Sequence, residues 1–284
     1  MKKFYMIMAA LAAITVSAQA QNVKMGAIEV GDYSAPTEIY NASYFSVAPT
    51  NFYLAHTGSQ MLFTAAELAD LDGKGDVTIT AISFKFRNDE GFDDMTRNYK
   101  IYMEATDASE FAVIEGVKQF FDFDNLVYEA NETYAMLDFL YEDVEFRFNL
   151  DEPFILPEGK NLLVTFVADA DDDENCTWGT DCIPFYTSGI LGKGMTYTDN
   201  TTSFLEYAQG DDFPDATSML GCGTNVELPV TLIEYQYNGA TSIQEVKTTP
   251  VEDDVYYNLM GQRFTAGNLP AGIYIHNGKK VVVR

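Results

Sequence analysis

Positive charge, histidine, tryptophan and cysteine are all scarce in this sequence, and each shortage removes a class of function. There are 17 Lys and Arg against 43 Asp and Glu over 284 residues, a net charge of −26 at pH 7. A surface of that sign repels phosphate backbones and anionic lipid, so nucleic acid is excluded as a partner, while divalent cations are attracted. The only histidines are His56 and His276. No G-x-S-x-G, H-E-x-x-H or P-loop sequence occurs, so a His-dependent mechanism would rest on almost nothing. Three cysteines, Cys176, Cys182 and Cys222, allow at most one internal disulfide, either Cys176 with Cys182 or one of these with Cys222. No C-x-x-C pair is present and both histidines lie far from the cysteines, which argues against zinc. Beyond residue 20 no apolar run approaches the roughly 20 residues that a membrane-spanning helix needs, so no transmembrane segment is expected in the mature chain.

The first 20 residues have their own pattern. Lys2 and Lys3 precede an apolar core from Met6 to Val16, and Ala18-Gln19-Ala20 supplies small residues at the cleavage positions, as in a secretory signal peptide. No cysteine follows the core to carry a lipid anchor. Removing 1–20 leaves 15 basic residues against 43 acidic ones, a net of −28. Residues 241–284 hold five basic and four acidic side chains, a net of +1, so residues 21–240 carry −29. This contrast, together with Asn238-Gly239-Ala240-Thr241-Ser242, divides the mature chain into a body (21–240), a linker (241–250) and a tail (251–284).

The body reads as all-β. Ile82, Phe84 and Phe86 alternate with polar residues, as do Tyr99, Ile101, Met103 and Ala105, and Val144, Phe146, Phe148 and Leu150. Such period-2 patterns describe strands with one wet face. Leu162 to Val167 is apolar on both faces apart from Thr165, which predicts an interior strand covered by a second layer. Residues 230–237 predict a closing strand begun at Pro229. Thr64-Ala65-Ala66-Glu67 has the form of a capping box and predicts a short helix ending by Gly73. Residues 171–225 depart from alternation and predict long loops with a few strands. The expected architecture is an antiparallel, jelly-roll-like β-sandwich with a short helix.

In the tail, Val255, Tyr257 and Leu259 alternate up to Gly261, Ile273-Tyr274-Ile275 extends again, and Asn277-Gly278 suits a tight hairpin turn. Three strands and two turns bury little apolar surface. The run YNLMGQRF, then LPAGIYI, then NGKKVVVR closely resembles the C-terminal sorting domain of cargo exported by the type IX (Por) secretion system of Bacteroidetes-type bacteria. The matching positions are Tyr257, Asn258, Gly261, Gln262, Leu269, Pro270, Gly272, Tyr274, Gly278, Lys279 and Lys280. The resemblance covers about the last forty residues. It implies a small β-sandwich or hairpin domain that is read by the outer-membrane secretion machinery and cleaved afterwards, the cargo then being released or attached to the cell surface.

A second resemblance covers about residues 35–170. The order FTAAELADL, ITAISFKF, TRNYKIYMEATDASEF, VEFRFNLDEPFIL and NLLVTF is similar to jelly-roll or fibronectin-like modules of adhesin-like surface and secreted proteins from the same bacteria. It implies a fold and leaves the ligand open.

Four features bear on chemistry. Asp169, Asp171 and Asp173 alternate within an acidic run, where oxygens could converge on Ca²⁺, the one candidate cofactor, although a solvated acidic loop has the same sequence. Asp70 to Asp76 resembles a calcium loop only loosely, with Lys74 at a ligand position, and reads as a turn. Of the aromatic residues, Tyr40, Tyr44, Phe45, Phe52, Tyr53, Phe185 and Tyr186 are expected mostly in the core, and Trp178, set in the acidic loop, is the candidate ligand-stacking residue. A pair of carboxylates could serve glycoside hydrolysis, but with 43 acids such pairs are not informative.

Together these readings predict a secreted or outer-surface protein, exported through the periplasm, whose body is a non-catalytic, adhesin-like module for a protein or glycan. The alternatives are a secreted glycoside hydrolase using two carboxylates and a structural, fimbria-like subunit.

Overall fold

A computed structural model of the chain describes residues 23–37, 48–52, 54–87, 95–134, 142–170, 185–208, 221–238, 255–265, 269–276 and 279–284. The signal peptide, the linker, Asp171, Asp173, Cys176, Trp178, Cys182, Gly278 and the side chain of Cys222 lie outside them. The chain divides into two compact units, Met1–Ala240 and Thr241–Arg284.

In the first unit the strands are β1 (Val23–Val30), β2 (His56–Phe63), β3 (Val77–Arg87), β4 (Met95–Thr106), the short hairpin β5 (Val113–Ile114) and β6 (Val117–Lys118), and β7 (Leu126–Tyr134). They continue with β8 (Asp143–Leu156), β9 (Asn161–Asp169), β10 (Gly194–Asp199), β11 (Gly221–Val226) and β12 (Thr231–Asn238), and α-helix α1 (Phe204–Ala208) follows β10. A four-stranded sheet has the order β1-β12-β3-β8, and a six-stranded sheet has the order β11-β10-β2-β9-β4-β7. All their pairings are antiparallel. With the small hairpin and β10-β11 set aside, the eight remaining strands have the order first-eighth-third-sixth in one sheet and second-seventh-fourth-fifth in the other. That alternation between sheets is the jelly roll.

Between the sheets lies an aromatic core. Phe84, Phe146 and Phe148 of the four-stranded sheet meet Tyr99 and Phe166 of the six-stranded sheet at ring-centroid distances of 5.2–6.0 Å. Most of these rings meet edge to face or tilted, the arrangement that the ring quadrupole favours. Phe52 and Phe185 join the same cluster, and Tyr186 is also buried.

The six-stranded sheet is covered on its outer face too. Leu62, Leu163, Val167, Met195 and Tyr197 pack there beneath Phe111 and Phe120 of the β4–β7 connection and Phe204 of α1. β9 is therefore buried on both faces from Asn161 to Ala168, as its unbroken apolar run predicts.

At Thr64 the structure corrects the expectation. Residues 65–68 form turns and only Ala69–Leu71 closes a 3₁₀ turn. The Thr64 hydroxyl donates to the Glu67 carboxylate at 2.5 Å, and the N–H of Ala65 is taken by Asn161 Oδ1. The box thus closes on itself and a neighbouring strand without starting an α-helix; among the described residues the short α-helix is α1. Residues 70–76 form the turn that was expected, with Gly73 and Gly75 at positive φ.

In the second unit a four-stranded antiparallel sheet has the order β14 (Arg263–Thr265), β13 (Val255–Asn258), β15 (Gly272–His276), β16 (Lys279–Val283). It has one strand more than the alternation predicts, because Arg-Phe-Thr is too short to show a period. One face carries Tyr256, Phe264, Tyr274 and His276, with Tyr256 stacked on His276 at 4.2 Å. The other face pairs Tyr257 with Ile275 and Ile273 with Val282, all more than a third exposed.

Candidate functional site

Among the described residues, the outer face of the six-stranded sheet is covered over only part of its area. Register places Asp199 opposite His56, His56 opposite Asp169, Asp169 opposite Asn98 and Asn98 opposite Asn131. These five polar side chains form one row across β10, β2, β9, β4 and β7, about 19 Å long at the usual strand spacing. They face outward because alternate neighbours on the same strands, Met61, Tyr99 and Ala168, point into the sandwich core. All five are partly or fully exposed.

Local contacts build this row. Gly58 leaves space for the ring of Phe204, whose atoms would come within 2.3–2.6 Å of a Cβ at that position. That close approach seats α1 against the sheet and brings Ser203, just before it, onto β9. Ser203 Oγ donates to Asp169 Oδ2 at 2.8 Å, and His56 Nδ1 lies 2.9 Å from Asp169 Oδ1. Asp199 Oδ1 accepts from the Thr201 N–H and hydroxyl and from the Thr202 N–H, which turns the chain from β10 into α1. Burial pushes the Asp199 carboxyl up, but these hydrogen bonds outweigh it and hold the group below the usual carboxylate range. Asn98 Nδ2 donates to Asn131 Oδ1 at 3.0 Å. A second row follows, in which Lys100 pairs with Glu129 at 3.1 Å.

Further along β4 the polar rows give way to a cavity of about 400 Å³ between Tyr102, Phe123, Leu126 and Leu205, with Asp122 and Asp124 at its rim. Its loop is held firmly. The Gln60 side chain donates to the Phe121 carbonyl at 2.8 Å and accepts the Phe121 N–H at 2.7 Å, acting like one step of a β-ladder. Glu104 accepts the N–H groups of Asp124 and Asn125 at 3.0 and 2.8 Å.

Ser203, Asp169 and His56 are not ordered as a catalytic triad. In a serine triad the imidazole lies between hydroxyl and carboxylate and takes the hydroxyl proton. Here the Asp169 carboxylate lies between Ser203 and His56, so the imidazole does not activate the hydroxyl. A glycosidase general acid needs a carboxyl whose pKa is raised. Asp199 and Glu234 are both shifted the other way, Glu234 by its hydrogen bond from Arg147.

Of the sequence-predicted calcium residues, Asp169 alone is described, and both its oxygens are engaged by protein groups. Among the described residues no three His, Cys, Asp or Glu side chains converge to hold a metal ion, and no helix is long and apolar enough to cross a membrane. In the tail, Asn258 organises a turn: its Oδ1 accepts the N–H groups of Met260 and Gln262, its Nδ2 donates to Gln262 Oε1, and Gly261 takes positive φ. Tyr274 donates to the Pro270 carbonyl at 2.8 Å, while Lys279 and Lys280, both exposed, open β16 on opposite faces of the sheet. His56, Asn98, Asn131, Asp199 and Ser203 were not singled out from sequence as a site, because their convergence depends on register between strands distant in the chain. Comparison with protein-family models, with curated proteins and with solved structures finds no match for this chain.

Proposed function

We propose that this is a secreted or surface-displayed binding protein, adhesin-like and without catalytic activity, which takes a glycan or protein ligand on the outer face of its six-stranded sheet and is exported by its C-terminal tail. The observation that carries the reading is the polar row. His56 Nε2, Asp199 Oδ2, Asn98 Oδ1 and Asn131 Nδ2 have no hydrogen-bond partner among the described residues, yet their neighbours fix their positions. Fixed donors and acceptors beside an aromatic wall suit a hydroxyl-rich or peptide ligand, since little ordering remains to be done on binding.

The test is a screen of the mature protein on glycan and peptide arrays, scored for turnover as well as binding. Binding lost in His56→Ala and Asn98→Ala, without turnover, is the expected result. Turnover abolished by a single Asp or Glu change would replace this reading with the hydrolase. For the tail, whose resemblance motivates the export route, deleting residues 254–284 should leave a folded body that fails to reach the outer surface. Normal export of that truncation overturns the sorting role.

A further inference from the structure

We infer that the cavity between Tyr102, Phe123, Leu126 and Leu205 receives a lysine or arginine side chain of a partner protein, its aliphatic stem buried against the walls and its cationic head held between Asp122 and Asp124. This rests on the reading of the outer face as a binding surface and names what one part of that face takes.

Three observations converge. The walls are apolar and aromatic, with Tyr102 and Phe123 meeting edge to face at 4.9 Å. The rim is anionic: Asp122 and Asp124 are exposed, and neither carboxylate has an ion-pair or hydrogen-bond partner among the described residues. Among the described residues no basic side chain lines the cavity, and Lys100, on the same face, is held by Glu129. An apolar slot ending in unpaired carboxylates is the complement of a long alkyl chain ending in a positive charge. A cation beside aromatic rings gains further from their quadrupole.

The cavity is also preformed. Phe123 is stacked on Phe204 with an interplanar angle of 6°, and the Gln60 clamp and Glu104 fix the loop on either side of Asp122. Little ordering is then needed on binding. The charge of the whole chain, −26, draws a cationic partner toward it at long range. A saccharide hydroxyl can donate to a carboxylate but leaves its charge uncompensated, so the cationic side chain fits the lining better.

The experiment titrates the full mature chain by NMR with acetylated, amidated Gly-Gly-Lys-Gly-Gly, the same peptide with norleucine in place of lysine, and cellohexaose. Lysine and norleucine share the stem and differ in the ammonium. The lysine peptide should bind at least about tenfold more tightly, with shifts at Tyr102 and Leu205, and the preference should weaken with salt. It should vanish in Asp122→Asn/Asp124→Asn, whose Tm should stay at the wild-type value because both side chains are exposed. Phe123→Leu, which keeps an apolar wall without the ring, should bind less tightly. Equal binding of the two peptides, or binding unchanged in the double Asn variant, would overturn the inference. Cellohexaose binding in this cavity without lysine binding would overturn it too while leaving the proposed function standing; absence of any ligand for the whole outer face would remove both.

Discussion

Asp199 shows how one side chain can set both a turn and a charge. Its pKa is lowered in the folded protein, so it contributes stability that is fully present above the unfolded carboxylate value, near 4, and is lost as the pH falls through the lowered folded value. Melting curves of the wild type and Asp199→Asn should therefore differ at neutral pH and converge as the solution is acidified below about pH 4. At Gly58 the constraint is steric. Gly58→Ala pushes a methyl group into the Phe204 ring and should cost about 1–3 kcal/mol in denaturant unfolding, because neither the strand nor α1 can move without unpacking the outer layer. For Asp169, whose oxygens both have protein partners, adding a chelator should leave Tm unchanged. A chelator-dependent drop approaching the roughly 2.7 kcal/mol expected at one hundred times Kd would support the calcium reading of Asp169, Asp171 and Asp173.

Among the elements, β2 was the hardest to see in the sequence, yet it is buried from Thr57 to Phe63. HTGSQMLF shows no alternation, because Thr57, Ser59 and Gln60 are buried as fully as Met61, Leu62 and Phe63. Their polar groups are satisfied one by one: Ser59 donates to the Pro49 carbonyl, Thr57 bonds Thr50, and Gln60 clamps Phe121. Periodicity reports burial only where polar residues stay wet, so such a strand is invisible to it. β9 and β3 were legible because apolar side chains do their packing. β8 runs past its alternating stretch through Pro153, which an edge strand tolerates, and its register with β3 slips at that point. Replacing Gln60 by Leu should cost about 2–3 kcal/mol through the unpaired Phe121 backbone groups it leaves behind. Hydrogen exchange at the Phe121 amide should accelerate far more than at the β9 amides; equal acceleration would mean the clamp is not local.

At the level of the whole molecule the sequence announced the fold class and the change of charge near residue 240, while the site depended on pairings between residues more than a hundred positions apart, as with His56 and Asp169. Among the described residues, the three buried clusters draw all their members from residues below 240, so deleting Thr241–Arg284 should move the body's Tm by no more than about 2 °C in a calorimetric scan. A larger drop would show that the tail supports the body. One pairing has a consequence for the order of assembly. β12 lies between β1 and β3, with Val23 opposite Asn238, so the first strand of the body finds its neighbour only in the last. A chain that emerges amino end first cannot complete this layer until nearly the whole body has been made. Synthesis alone therefore keeps it open and threadable for longer than a protein of local hairpins.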